Sequence, residues 1–153
     1  MEQVKLNDLY QEVILDHNKK PRNFGAIADA TSMAKGINVL CGDHFDIYVL
    51  KNAEGVLKKV RFEGDGCAIS KASASLMTGA VLNKTTEEAA VLADHFVHLL
   101  TDPAVSDAHR AAVGKLGFFE GVKNFPVRVK CATLAWRALE EALKGEGKQV
   151  STE

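Results

Sequence analysis

Between Cys41 and Glu63 the chain is patterned for an antiparallel pair of strands, and that pair limits what the remainder can build. Cys41, Asp43, Phe45, Ile47 and Val49 alternate with His44, Asp46, Tyr48 and Leu50. Period two with one largely apolar face marks a half-buried strand. Asn52-Ala53-Glu54-Gly55 supplies a turn. The run after it sets Val56, Val60 and Phe62 against Leu57, Lys59, Arg61 and Glu63, so the two runs predict a hairpin. Residues 33–39 add a short third strand.

The flanks have helical period. Leu6, Leu9, Tyr10, Val13, Ile14 and His17 predict a helix over 4–18, stopped by Pro21. Ile69, Ala72, Ser73, Leu76, Ala80 and Val81 predict a helix after Cys67. Thr85-Thr86-Glu87-Glu88 has the spacing of a capping box and opens a helix that ends near Asp102-Pro103. Ser106-Asp107 caps a further helix running to the region of Phe119, and Gly121 to Phe125 reads as a loop. The last helix is expected from near Arg128 to the region of Lys144. An antiparallel sheet of about three strands packed against helices is an α+β fold. The 153 residues suit one domain, here 1–145, followed by a polar tail, 146–153, expected to be disordered.

Charge narrows the function. With 46% hydrophobic residues, 25% charged residues and a net charge of −1, the chain is not built for nucleic acid. It holds no apolar run long enough to span a membrane. Met1-Glu2-Gln3-Val4-Lys5 lacks the layout of a signal peptide, so a cytoplasmic protein is expected. Three cysteines, an odd number, favour reduced thiols over a disulfide framework.

The thiols carry the chemistry. Cys41 and Asp43 stand two apart at the head of the strand and share a face, with Gly42 between them to let the backbone turn. Cys67 follows Gly64-Asp65-Gly66 at the first turn of a helix, and Cys131 lies near the first turn of the last one. Unpaired N–H groups and the helix dipole favour thiolate at such positions. Three sulfurs and one carboxylate oxygen suit tetrahedral zinc, or an iron–sulfur cluster with one oxygen ligand. With Zn²⁺ bound, a charge of about −2 remains, and Arg128, Lys130 and the helix termini are placed to offset it. Other polar residues read as structural. His17 packs or caps, and Arg22 and Asn23 pin the loop after the first helix. His95 and His98, three apart with no third ligand spaced to join them, fit an exposed helix face. Cys41 and His44 point to opposite strand faces, against a thiol–imidazole hydrolase pair.

Motifs along nearly the whole chain then carry a resemblance. They are Ile14-Leu15-Asp16-His17 with Pro21-Arg22-Asn23; Cys41-Gly42-Asp43; Gly66-Cys67-Ala68-Ile69-Ser70 with Ala72-Ser73-Ala74-Ser75; and Pro126-Val127-Arg128-Val129-Lys130-Cys131-Ala132-Thr133-Leu134-Ala135-Trp136. In this order they resemble the iron–sulfur cluster assembly scaffold family, IscU and NifU N-terminal proteins, and most closely its SufU branch. The resemblance implies a compact α+β domain with Cys41, Asp43, Cys67 and Cys131 gathered at one exposed end. Three features depart from the IscU pattern. Lys130 stands where IscU proteins carry a histidine, Phe125-Pro126-Val127-Arg128 replaces a Leu-Pro-Pro-Val-Lys segment, and extra length falls around residues 101–122. All three look like SufU.

The resemblance implies a zinc-dependent sulfur acceptor or carrier rather than a stand-alone enzyme. It would dock on a PLP-dependent cysteine desulfurase of the SufS kind and pass sulfur to downstream iron–sulfur assembly proteins. Cys41 is the expected acceptor, the other three residues holding zinc. The alternative is a scaffold binding iron or a [2Fe–2S] cluster on the same four residues. A purely structural zinc domain is a further reading, weakened because the chain already encodes a full core.

Overall fold

The computed structural model describes residues 2–152, with side chains from Tyr10 onward. Its elements are α1 (Glu2–Lys19), β1 (Ser32–Asn38), β2 (Asp43–Lys51), β3 (Leu57–Asp65), α2 (Ala68–Val81), α3 (Thr86–Thr101), α4 (Asp107–Val113), a 3-10 run (Gly114–Asn124), α5 (Pro126–Lys144) and β4 (Val150–Ser151). The fold is α+β. Leu6 and Leu9 of the expected first stripe lie outside the described side chains, as does Glu153.

The sheet has the order β3-β2-β1-β4. β1, β2 and β3 form the expected antiparallel meander. β4 is the fourth strand, pairing parallel to β1 through Gly36 with Val150 and Ile37 with Ser151. It lies in the tail expected to be disordered. No local pattern marks two residues as a strand; the open edge of β1 supplies the partner groups, and Thr152 adds hydrogen bonds to the carbonyls of Ile37 and Lys130. The second strand also differs in parity. Leu57, not Val56, is buried beside Val60 and Phe62. The pairing slips between Leu50 and Lys51, and this irregularity reverses which residue faces inward.

α5 crosses the sheet, and the core fills the space between them. Trp136 is fully buried, stacked on Phe96 of α3 at 4.5 Å between ring centroids. Phe119 meets Phe96 edge-on. Ser73 of α2 accepts from the Trp136 indole N–H at 3.2 Å and donates to the Ala132 carbonyl at 2.6 Å. Each polar atom brought into this core by α2 therefore has a partner. Small residues, Ala72, Ser73, Ala74 and Ser75, let α2 approach its neighbours closely.

The loop after α1 is pinned as expected. His17 Nδ1 lies 2.7 Å from Ser75 Oγ, the Arg22 side chain bonds Asp16 at 2.6 Å, and Asn23 donates to Thr78 Oγ1 at 3.0 Å. The capping box at Thr85 and Glu88 is present. The helix expected through Phe119 ends at Val113 instead. Gly114 takes φ of +54°, and the chain continues as a 3-10 run through the expected loop. Among the described residues no helix is long and apolar enough to cross a membrane.

Candidate metal centre

Four positions predicted to share a site come from four places in the fold. Cys41 lies in the β1–β2 turn rather than on the strand, which starts at Asp43. Its amide donates to the backbone and side-chain oxygens of the buried Asn38, each at 3.3 Å. Gly42 has φ of +73°, a conformation that costs glycine little and brings the thiol back toward Asp43. The turn, not strand parity, is what aligns them. Val39 and Leu40 before it are 66% and 80% exposed.

Asp43 is almost wholly buried, and its Oδ1 accepts from the Cys67 N–H at 2.9 Å. Its Oδ2 lies 4.0 Å from Cys67 Sγ. Cys67 is the N-cap of α2, and its sulfur accepts from the Ser70 N–H at 3.4 Å. The Ser70 hydroxyl stands 3.3 Å from the same sulfur. Cys131 occupies the second turn of α5, because the helix begins at Pro126, so helix-end N–H groups do not serve it. It is buried, with Sγ 3.8 Å from Cys41 Sγ.

Ligand atoms of Cys41, Asp43 and Cys131 all lie within 4.8 Å of one another, and Cys67 flanks this trio through Asp43. Cys41, Asp43 and Cys131 thus lie together, with Cys67 beside Asp43. Sulfurs of Cys41 and Cys131 with a carboxylate oxygen of Asp43 could hold a metal ion. Gly66 shows how closely the site is built: a Cβ there would sit 2.5 Å from Asp43 Oδ1 and 2.7 Å from Ser70 Oγ.

The thiols are shifted in opposite directions. Hydrogen bonding from Cys131, aided by the Ser70 donors, lowers Cys67 to about 6 against the opposing effect of burial. Cys131 moves the other way. Its hydrogen bond to the Cys67 sulfur and its burial both hold the proton on. Cys67 is thus shifted toward thiolate and Cys131 toward thiol.

Arg128 and Lys130 are arranged around the last helix. The Arg128 guanidinium lies over the Phe125 ring, 4.6 Å from its centroid. Lys130 lines a cleft with Thr133, Arg137 and Thr152. Sequence reading missed Asn38 and Ser70, which hold Cys41 and Cys67. Ser70 carried a signal, since a polar residue three after a cap is the spacing of a capping contact; Asn38 carried none.

Residues 9–132 match the model of the NifU-like N terminal domain. The chain is 41% identical over 143 residues to the "Iron-sulfur cluster assembly scaffold protein IscU" of Streptococcus pyogenes serotype M1, covering 92% of this chain and 86% of that protein. It is 38% identical over 141 residues to the "Zinc-dependent sulfurtransferase SufU" of Bacillus subtilis (strain 168), covering 92% and 93%. A crystal structure described as a putative iron–sulfur cluster assembly scaffold protein for the SUF system, from Fervidobacterium islandicum AW-1, superposes with a TM-score of 0.79 at 35% identity, covering 86% and 94%.

Proposed function

Since this chain belongs to the NifU-like N-terminal domain family of iron–sulfur cluster assembly proteins, we propose that it is a cytoplasmic, zinc-dependent sulfur acceptor of the SufU kind. Its donor is a persulfide on a PLP-dependent cysteine desulfurase, and its recipients are downstream iron–sulfur assembly proteins. The observation that carries the reading is the unequal mounting of the three thiols. Cys41 and Cys67 are both half-buried, but Cys41 sits on a turn flanked by exposed Val39 and Leu40, whereas Cys67 caps α2 and Cys131 is buried in α5.

Asp43, Cys67 and Cys131 would hold the zinc, with Cys41 as the fourth ligand. Bound there, zinc supplies a redox-inert charge that keeps neighbouring sulfurs deprotonated. In the transfer, the Cys41 thiolate attacks the terminal sulfur of the desulfurase persulfide. The new S–S bond forms on Cys41, and the desulfurase thiolate leaves, its electron pair retained, with no external oxidant. Asp43 and the Asn38 contacts keep the turn in register while Cys41 swings out. Lys130 in place of a histidine supports zinc over a cluster ligated by that residue.

The test is mass spectrometry of the protein after reaction with desulfurase and cysteine. One added sulfur on the Cys41 peptide is expected, and sulfur confined to the Cys67 or Cys131 peptide would overturn the assignment. A second reading, assembly of a [2Fe–2S] cluster on the same four residues, is favoured by the 41% identity to a protein named as an IscU scaffold. Metal analysis separates the two: one zinc without colour fits the first, a stable red-brown chromophore the second.

A further inference from the structure

A cleft of about 480 Å³ opens where α1, α2, α3 and α4 meet, and neither Asp43 nor any of the three thiols lines it. Its floor is apolar: Leu76 and Ala80 of α2, Leu92 of α3, and the buried Val113 and Leu116 at the end of α4 and in the 3-10 run. Arg22, Lys84 and Lys115 stand around it, each on a different connection between helices. Arg22 pairs with Asp16 at 2.6 Å, but Asp16 does not line the cleft, and among the described residues no carboxylate does. Glu87 and Glu88 line a neighbouring hollow instead. In a chain of net charge −1 this is a local excess of positive charge over an apolar floor. Gly79 is a second, independent observation. It sits in the last turn of α2 and lines the cleft. Its φ is not positive, and a Cβ there would meet nothing within 4 Å. Neither backbone nor neighbours therefore require glycine, which weakens a helix. Its effect is to leave the α2 wall bare between Leu76 and Ala80, as where a ligand approaches the main chain closely.

We propose that this cleft binds a single-chain anionic amphiphile, an alkyl carboxylate of the fatty-acid class. Size and lining are those of a small-molecule site, concave and mostly apolar with a few polar groups that fix orientation. The alkyl chain lies along Gly79 and covers Leu76, Leu92 and Leu116, and its burial supplies the affinity. Arg22 is already paired with Asp16, so Lys84 and Lys115 supply the charge that meets the carboxylate. A small polar anion would leave the floor wet, and a neutral chain would forgo the cations. An alkyl ammonium would meet like charge. Bound there, the ligand bridges α2 and α3 to the end of α4, independently of the thiol site.

The test is titration of octanoate, octan-1-ol and octylammonium into the full-length protein with its thiol site loaded with zinc, followed by amide chemical shifts. The three probes share one chain and differ in head group. Saturable octanoate shifts are expected on Leu76, Gly79, Leu92 and Lys115, with the alcohol about threefold weaker, as exposed charges allow, and the ammonium weaker still. Gly79→Leu, which extends a side chain into the cleft, and Ala112→Leu, which narrows it from α4, should each weaken octanoate on the order of tenfold. Lys84→Gln combined with Lys115→Gln should remove the preference for octanoate while leaving the alcohol unchanged. Absence of saturation, shifts centred on the exposed Val39, Leu40 and Val127, equal affinity for the three probes, or unchanged octanoate affinity in Gly79→Leu would overturn the site. Circular dichroism reports whether each variant is folded; if one wall variant is not, the other and the shift map of the unsubstituted protein decide.

Discussion

The aromatic centre and the thiol end of this domain are held by different forces. In the centre, Trp136, Phe96 and Phe119 have no exposed surface and touch one another directly. Their stabilisation is apolar burial, which needs no particular charge state. At the thiol end the contacts are few and polar: one amide to Asp43, two long bonds to Asn38, and the Ser70 N–H donating to a sulfur that its hydroxyl also touches. Such groups change partner when a proton, a metal or a sulfur atom arrives. The comparison teaches that the reactive end is mounted on the core without being the core, so stability and chemistry should respond to different substitutions.

The largest effect expected is at the centre. Trp136→Ala removes the ring stacked on Phe96 and the donor to Ser73, and should cost ~3–5 kcal/mol. Urea unfolding measures it; a loss below about 1 kcal/mol would mean that the aromatic layer is not what holds the domain. Gly66→Ala is next, because its Cβ would press on Asp43 and Ser70. We expect ~1–3 kcal/mol of destabilisation and a fall in metal affinity out of proportion to it. An unchanged metal content after dialysis would show that the Asp43–Ser70 wall yields without consequence.

A third prediction concerns pH in the metal-free protein. Cys67 ionises at about 6 in the folded chain against an ordinary value of 9.0. Between these values the unfolded chain binds more protons, so Cys67 makes stability rise with pH from about 6 to 9 and fall as pH drops back through 6. Cys131 is shifted upward. Above 9 it stays protonated only when folded, so its contribution is lost as pH rises further. Denaturant midpoints across pH 5–10 should therefore climb and then turn over, and Ser70→Ala should flatten the climb. A profile that is flat in the metal-free protein would contradict the opposite shifts of the two thiols.

The smallest change in stability is expected for Cys41→Ser, within ~0.5 kcal/mol, because the turn holds through the Asn38 contacts to its backbone. The same variant should accept no sulfur from a desulfurase. A loss of several kcal/mol would erase the distinction between the mounted end and the core, since it would make Cys41 part of the structure.

Much of the fold was legible because its signals are local. The 43–51 alternation, the stop at Pro21 and the Thr85–Glu88 capping box each act over a few residues, through side-chain parity or a single orphan amide. The nearness of Cys41, Asp43 and Cys131 was legible too, from residue chemistry and family motifs. Tertiary structure decided the rest, where the deciding contact joins residues far apart in the chain. Cys41 and Cys131 are separated by 90 positions, and the burial that holds the Cys131 proton arises only when α5 packs on the sheet. β4 exists because β1 has an open edge, Leu57 points inward because the β2–β3 pairing slips, and His109 meets His95 because α4 folds back on α3. The sequence by itself determined which groups could react; packing set their distances and burial, and so shifted Cys67 toward thiolate and Cys131 toward thiol.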